Sequence, residues 1–207
     1  MLYLKNNNIY YHIEFYILLI IWIISFITKK FSLVLFLSAI ILFLLYFHRS
    51  FNNEIDPYDY ILYSPAHGKI LNIEQGQTKT RITIFLSIFD NHTQCIPMEC
   101  TKLYEIFKYG KFKFAQNLEK SEYNQQLKHI LKTKFGIIDI IQYSGFFARR
   151  IFSLSSNLDK LYNVGDKLGY IRFGSRVDID IPNNIISKIL VKKNTKVSVL
   201  CPLVELK

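Results

Sequence analysis

Between Phe15 and Phe47 the chain is apolar almost without relief: FYILLIIWIISFIT, then Lys29 and Lys30, then FSLVLFLSAIILFLLYF. The only two charges in these 33 positions are adjacent. No polar stripe recurs at helical spacing, as a helix half-buried on a soluble core would require. The pattern predicts a hydrophobic helical hairpin within residues 1–50, turning at the lysines. Each run is shorter than the ~20 residues that comfortably cross a bilayer, and the first makes a rod of roughly 21 Å. Two arrangements satisfy this: a tight pair of spanning helices, or a hairpin that dips into one leaflet. In both, the lysines snorkel to the headgroups. No small-x-small site follows the first run, which argues against a cleaved signal peptide. Lys5, Lys29–Lys30 and Arg49 give no asymmetry that decides which side the remainder faces.

HRSFNNEIDPYDY (48–60) is polar and carries Pro57, so residues 51–60 read as a linker. From Ile61 the pattern changes to short alternating runs. RITIFLS (81–87), GIIDIIQYS (136–144), the stretch around 170–181 and KVSVLCPLVEL (196–206) read as strands, with a hairpin loop at Lys192–Thr195. Ser121–Lys134, rich in Glu, Gln, Leu and Lys, reads as a helix carrying a solvated His129. The fold class is mostly β (α+β): one β-rich domain over 61–207 behind the hairpin. One strand is interrupted. Tyr170–Phe173 and Val177–Ile181 alternate as a strand should, but Gly174, Ser175 and Arg176 between them are poor strand material. Taken alone, Gly174–Ser175 is equally a bulge or a bend.

A net charge of +10 adds attraction to anionic lipid, worth ~1 kcal/mol per basic side chain near the surface. Without zinc-finger spacing or an RNA-binding signature, nucleic acid is not the expected partner. Cys95, Cys100 and Cys201 are odd in number and form no CxxC, so they read as small apolar fillers and no metal is expected. There is no Gly-rich phosphate loop, HExxH or GxSxG. Asp90 and His92 in FDNH are an acid–base pair or a structural D-x-H. His12 and His48 flank the apolar runs and read as interfacial.

Six segments in order say more than any one of them: SPAHGKI (64–70), IFLSIFDNHTQCIP (84–97), YGKFKFA (109–115), KSEYN (120–124), IQYSGFFARRI (141–151) and GDKLGYIRFGSRVDIDIP (165–182). Over about residues 35–185 the chain resembles the phosphatidylserine decarboxylase proenzyme family, in its short form with an N-terminal hydrophobic hairpin. The resemblance implies self-cleavage between Gly174 and Ser175. Ser175 Oγ attacks the Gly174 carbonyl to give an ester, β-elimination frees the upstream chain, and the dehydroalanine left behind hydrolyses with loss of ammonia to a pyruvoyl group. The products are two subunits, residues 1–174 and a 33-residue piece. The pyruvoyl carbonyl forms a Schiff base with the amine of phosphatidylserine and accepts the electrons left by CO₂, yielding phosphatidylethanolamine.

By the same resemblance His92 is a substrate-side acid–base residue, Asp90 orients it or caps a turn, and Asn124 is supporting. Arg149, Arg150, Arg172 and Arg176 are candidates to grip the phosphodiester or the carboxylate. A bacterial inner-membrane enzyme with a cytoplasmic catalytic domain is implied, and homo-oligomerisation is left open. The chain departs from the family pattern in three places. His67 stands where SPADG has aspartate and would itself have to act as a base. Gln94 and Cys95 replace the Asn and Arg of VNRAP, and Cys100 replaces a glycine. Two readings follow: a working decarboxylase, or an uncleaved, silent relative that binds lipid or another membrane protein.

Overall fold

The computed structural model describes residues 9–47, 49, 55–146, 150–155, 157–172 and 175–207, with side chains from Phe15 onward and Ser175 described by its backbone alone. The chain divides into two units, Met1–Ser50 and Phe51–Lys207.

The first unit holds α1 (Ile9–Ile27) and α2 (Phe31–Phe47). At the turn Lys29 takes φ 56°, and Lys30 N donates to Ser25 O at 2.9 Å. Across the pair, Trp22 Nε1 donates to Ser38 Oγ at 2.8 Å. Apolar side chains such as Ile27, Leu35 and Leu42 point outward. The 17 residues of α2 make a rod of about 26 Å. Among the described residues no helix is long and apolar enough to cross a membrane. His12 and His48, expected at an interface, lie outside the described side chains.

In the second unit β1 (Ile61–Tyr63), β2 (Gly68–Gln75), β3 (Lys79–Leu86), β4 (Thr93–Cys95) and β5 (Cys100–Lys108) come first. A one-turn helix, α3 (Leu118–Ser121), precedes β6 (Gln126–Lys132), β7 (Ile137–Tyr143), β8 (Ile151–Ser153), β9 (Leu161–Tyr162) and β10 (Lys167–Ile171). β11 (Ser175–Pro182), β12 (Ile186–Ile189), β13 (Lys196–Val197) and β14 (Pro202–Leu206) follow. One sheet has the order β13-β2-β3-β11-β7-β6-β5-β9, a second β4-β10-β8 and a third β1-β14-β12. The unit is mostly β, as the alternating pattern predicts.

β11 lies inside the large sheet, between β3 and β7. Its period of two sends Val177, Ile179 and Ile181 to one face. There they meet Ile82 and Ile84 of β3, Ile138 and Ile140 of β7, and Leu168, Ile171, Leu203 and Val204 from the two smaller sheets. Each such fully buried side chain contributes about 1.5–3 kcal/mol of transfer free energy. The opposite face carries Arg176, Asp178 and Asp180.

The expected helix over Ser121–Lys134 is not formed. α3 ends at Ser121, and Gln126–Lys132 is β6, paired with β5 and β7. Leu127, His129 and Leu131 point inward together, so His129 is buried and not solvated. Helix-favouring composition loses here to a strand period read by both neighbours. KVSVLCPLVEL is also split. β13 pairs with β2 while β14 pairs with β1 and β12, so Lys192–Thr195 is a turn between strands that do not pair with each other. Asn194 takes φ 70° there.

Candidate active site

The register of β11 places the interrupted motif. Ser175 lies opposite Leu86, and Arg176 lies between Phe85 and Tyr143. Phe173 and Gly174 are outside the described residues, so the expected scission point is bounded by Arg172 on one side and the Ser175 backbone on the other. Residues 87–92, which carry FDNH, leave β3 opposite Ser175 and reach β4, where Thr93 pairs with Tyr170. His92 O accepts from Ile171 N at 3.1 Å. The loop therefore straddles residues 171–175.

Local bonds shape this loop. Asp90 Oδ2 accepts from Ser87 N at 2.8 Å and Asn91 Oδ1 from Thr93 N at 2.8 Å. The His92 ring is buried, with Nδ1 2.8 Å from Asp90 O. Of the two roles expected for Asp90, its carboxylate performs the turn cap, and its carbonyl meets the imidazole.

His67 precedes Gly68, where β2 approaches β3 so closely that a Cβ would meet Phe85 O. Lys69 pairs with Phe85 and Ser175 with Leu86 on the other side of β3. His67 thus sits at the same sheet end as Ser175, about two strand spacings, roughly 10 Å, away.

The four arginines separate. Arg172 N donates to Arg150 O at 3.2 Å, so these two adjoin at the β8–β10 end beside residue 173. Arg149 is outside the described residues. Arg176 lies inside the domain on the polar face of the large sheet. Its Nε donates to Asp178 Oδ1 at 2.7 Å and its Nη1 to Ser121 Oγ at 2.8 Å; Glu122 also pairs with it, and the guanidinium covers the Tyr143 ring at 4.4 Å. Arg81 adds a bidentate pair with Asp180 at 2.6 and 2.8 Å.

Asn124 is a backbone clamp. Its Oδ1 accepts from Lys113 N at 2.7 Å, and its Nδ2 donates to Lys113 O at 2.8 Å and Ser144 O at 2.7 Å. It ties the YGKF loop to the end of β7. Phe114 and Phe146 stack at 4.7 Å on those two loops. Cys95 is buried beside Ile61, Tyr63, Val199 and Leu200, and burial pushes its thiol up. Burial also pushes the Cys100 thiol up, to about 12. Both are inert fillers at neutral pH. Among the described residues no group of three His, Cys, Asp or Glu could hold a metal ion.

Sequence reasoning missed one cluster: Lys102 and Glu105 of β5, His129 of β6 and Gln142 of β7. The alternation Leu127-His129-Leu131 was the signal that could have found it. Burial pushes the His129 imidazole below its usual range, with Glu105 opposing. Burial alone would raise Glu105, but the neighbouring His129 and the bond from Lys102 hold it below the usual carboxylate range. On unfolding in acid both groups take up protons, so the unfolded chain binds more and stability falls as pH drops. For His129 the loss begins near its ordinary value of 6.5, and for Glu105 near 4.5. Thermal unfolding is expected to show a lower midpoint at pH 5.5 than at pH 8, and His129→Gln to flatten that slope. An unchanged slope in the variant would place the titrating group elsewhere.

Residues 40–200 match the sequence profile of the family described as phosphatidylserine decarboxylase. A phosphatidylserine decarboxylase proenzyme of Chlorobium phaeobacteroides is 32% identical over 165 residues, 77% of this chain and 76% of that protein. The proenzyme of Carboxydothermus hydrogenoformans is 32% identical over 175 residues, 81% of each. That of Amoebophilus asiaticus is 32% identical over 165 residues, 75% of this chain and 72% of its own. With the 87–92 loop, β10 and β11 all inside the matched span, this chain belongs to the phosphatidylserine decarboxylase family.

Proposed function

We propose that the chain cuts itself between Gly174 and Ser175 and, with the pyruvoyl group so made, decarboxylates phosphatidylserine to phosphatidylethanolamine. The observation that carries this is the bracket around residues 171–175: the His92 loop starts opposite Ser175 and ends hydrogen-bonded to Ile171. The local frame suits a chain that breaks and then holds its new end. β11 is paired with β3 at eight positions and with β7 at five, and Arg176, the next residue, is locked in an ion cluster. The 33-residue piece therefore begins at a residue already held in an inner strand.

When formed, the pyruvoyl group supplies the electron sink that no ordinary side chain provides for loss of CO₂. The chain's own residues bind and move protons. With Nδ1 donating to Asp90 O, a neutral His92 keeps Nε2 as its basic nitrogen, suited to returning or taking one proton. Arg150 and Arg172 offer forked donors for a phosphodiester or carboxylate. His67 is the candidate base for self-cleavage, a role that requires its ring to reach across from the neighbouring strand end to Ser175.

The lipid substrate agrees with the surface at this end. Phe114 and Phe146 remain 60% and 46% exposed on loops beside the exposed Lys111 and Lys113, a combination that suits an anionic membrane face. The apolar hairpin of α1 and α2 is the membrane attachment in this reading, which puts the enzyme at the bacterial cell membrane with the β-rich unit in the cytoplasm.

Intact-mass measurement of the purified chain, with CO₂ release from phosphatidylserine vesicles, tests the proposal. The expected result is two pieces, the smaller of 33 residues with a ketone at its start. A single 24.5 kDa species that releases no CO₂ would instead mark a silent, lipid-binding relative.

A further inference from the structure

A chain of polar side chains crosses between the eight-stranded sheet and β4, and it ends on the His92 main chain. Gln94 Nε2 donates to His92 O at 2.7 Å, Gln142 Nε2 to Gln94 Oε1 at 2.5 Å, and His129 Nε2 to Gln142 Oε1 at 2.7 Å. His129 Nδ1 lies 3.2 Å from Glu105 Oε1, which also accepts from Lys102 Nζ at 2.8 Å. Lys102 continues to Ser153 Oγ and Ser155 O. Gln94, Gln142, His129 and Lys102 have no exposed surface.

Leu127, Leu131 and Ile140 occupy neighbouring positions on the same face, so apolar side chains fit there. Polar ones cost desolvation that hydrogen bonds must recover, and of the side-chain atoms in this relay only His129 Nδ1, facing Glu105, makes no hydrogen bond. The backbone has also been thinned for this chain of bonds. Gly169 of β10 is the register partner of Gln94, and a Cβ on it would lie 2.6 Å from Gln142 Nε2 and 2.8 Å from both Gln142 Oε1 and the Phe152 carbonyl oxygen. A side chain at 169 would crowd both the Phe152 main chain and the Gln142 amide that meets Gln94.

The chain of bonds runs one way only. His92 O can only accept, so Gln94 must turn its amide nitrogen toward it and its oxygen toward Gln142. Gln142 must then donate to that oxygen, leaving its own oxygen for His129, whose Nε2 must carry a proton. Reversing any member sets two acceptors face to face. The charged groups facing His129 are Glu105 and Lys102 of β5, with the Cys100 thiol near Lys102.

We propose that Gln94, Gln142 and His129 are positioning residues for His92: their one-way relay holds the His92 turn against Ile171 N, beside the scission point. The inference rests on reading His92 as the substrate-side group. It also gives Gln94, one of the chain's departures from the family pattern, a definite task.

The test measures turnover of the full chain on phosphatidylserine vesicles, with intact mass as the readout of self-cleavage. Gln142→Glu keeps the shape and still accepts from His129, but its carboxylate cannot donate to Gln94. Cleavage and KM should stay near wild type, with kcat roughly 10- to 100-fold lower at pH 8. Toward pH 6 the loss should shrink, because a buried carboxyl that takes up a proton can donate again; a merely structural defect would show no such recovery. Gln94→Met removes the last link alone. It should show the same loss without the recovery, and it carries the test if Gln142→Glu does not fold. His92→Ala is the control. If it is inactive while Gln142→Glu or Gln94→Met turns over normally, or while the Gln142→Glu loss is independent of pH, the relay is overturned. If His92→Ala itself turns over normally, the reading of His92 falls and the relay's role falls with it.

Discussion

Ser175→Ala is expected to yield one unbroken 24.5 kDa chain with no detectable decarboxylation. The variant removes the oxygen that attacks the Gly174 carbonyl, and with it the source of the ketone. No other hydroxyl can substitute, because the ketone is made from the carbons of residue 175 itself. The effect should be complete, because enzymes of ordinary power exceed the uncatalysed rate by at least about 10⁶-fold. The fold should survive, since β11 is held by main-chain pairing from Ser175 to Pro182. Intact mass, a carbonyl-reactive label and CO₂ release measure the three parts separately. Normal two-piece processing of Ser175→Ala would refute the assignment of the cleavage site.

Arg176→Ala should destabilise the β-rich unit by about 3–5 kcal/mol. Asp178 has no exposed side-chain surface and would lose its bidentate partner, keeping Arg81 Nη1 at 3.6 Å, while Glu122, 42% exposed, can return to water. Burial already pushes the Asp178 carboxyl upward against the pull of Arg176. For a unit of this size that loss corresponds to a melting temperature lower by roughly 10 °C. The combined variant Arg176→Met/Asp178→Leu should recover most of it, because removing both charges leaves nothing buried and unpaired. A melting temperature within about 2 °C of wild type for Arg176→Ala would show that the cluster adds little. Since Arg176 also anchors the residue after the scission point, the single variant should mature more slowly.

That prediction marks a limit of reading residues by type. By residue type, Arg149, Arg150, Arg172 and Arg176 look equally available to a phosphate. Whether Arg176 faces lipid or an interior carboxylate depends on which side of β11 it takes, and on α3 folding back over that face. Arg150 and Arg172 adjoin only because β8 and β10 pair, an arrangement of residues some twenty positions apart. His129 shows the same limit more sharply. Its flanking Gln, Leu and Lys favour a helix locally, and the strand exists because β5 and β7 supply partners on both edges. A misread period then hid the burial, and with it the relay to His92. Asn124 was legible as special, but its clamp between two loops was not.

Local repetition and local chemistry were sufficient for the rest. The two apolar runs, the alternation of Val177, Ile179 and Ile181, and the Gly–Ser break are each written within a few residues, and side-chain period and backbone sterics act over that range. The family strings added the chemistry, because a self-made electrophile needs a hydroxyl after a small residue. What the tertiary structure alone decided was register: that the FDNH loop begins opposite Ser175 and closes on Ile171, that Gly169 makes room for Gln142, and that Arg176 turns inward to Asp178. Those outcomes depend on which strands pair and at what offset. A one-residue slip would exchange the two faces of β11 while leaving every local pattern in the sequence unchanged.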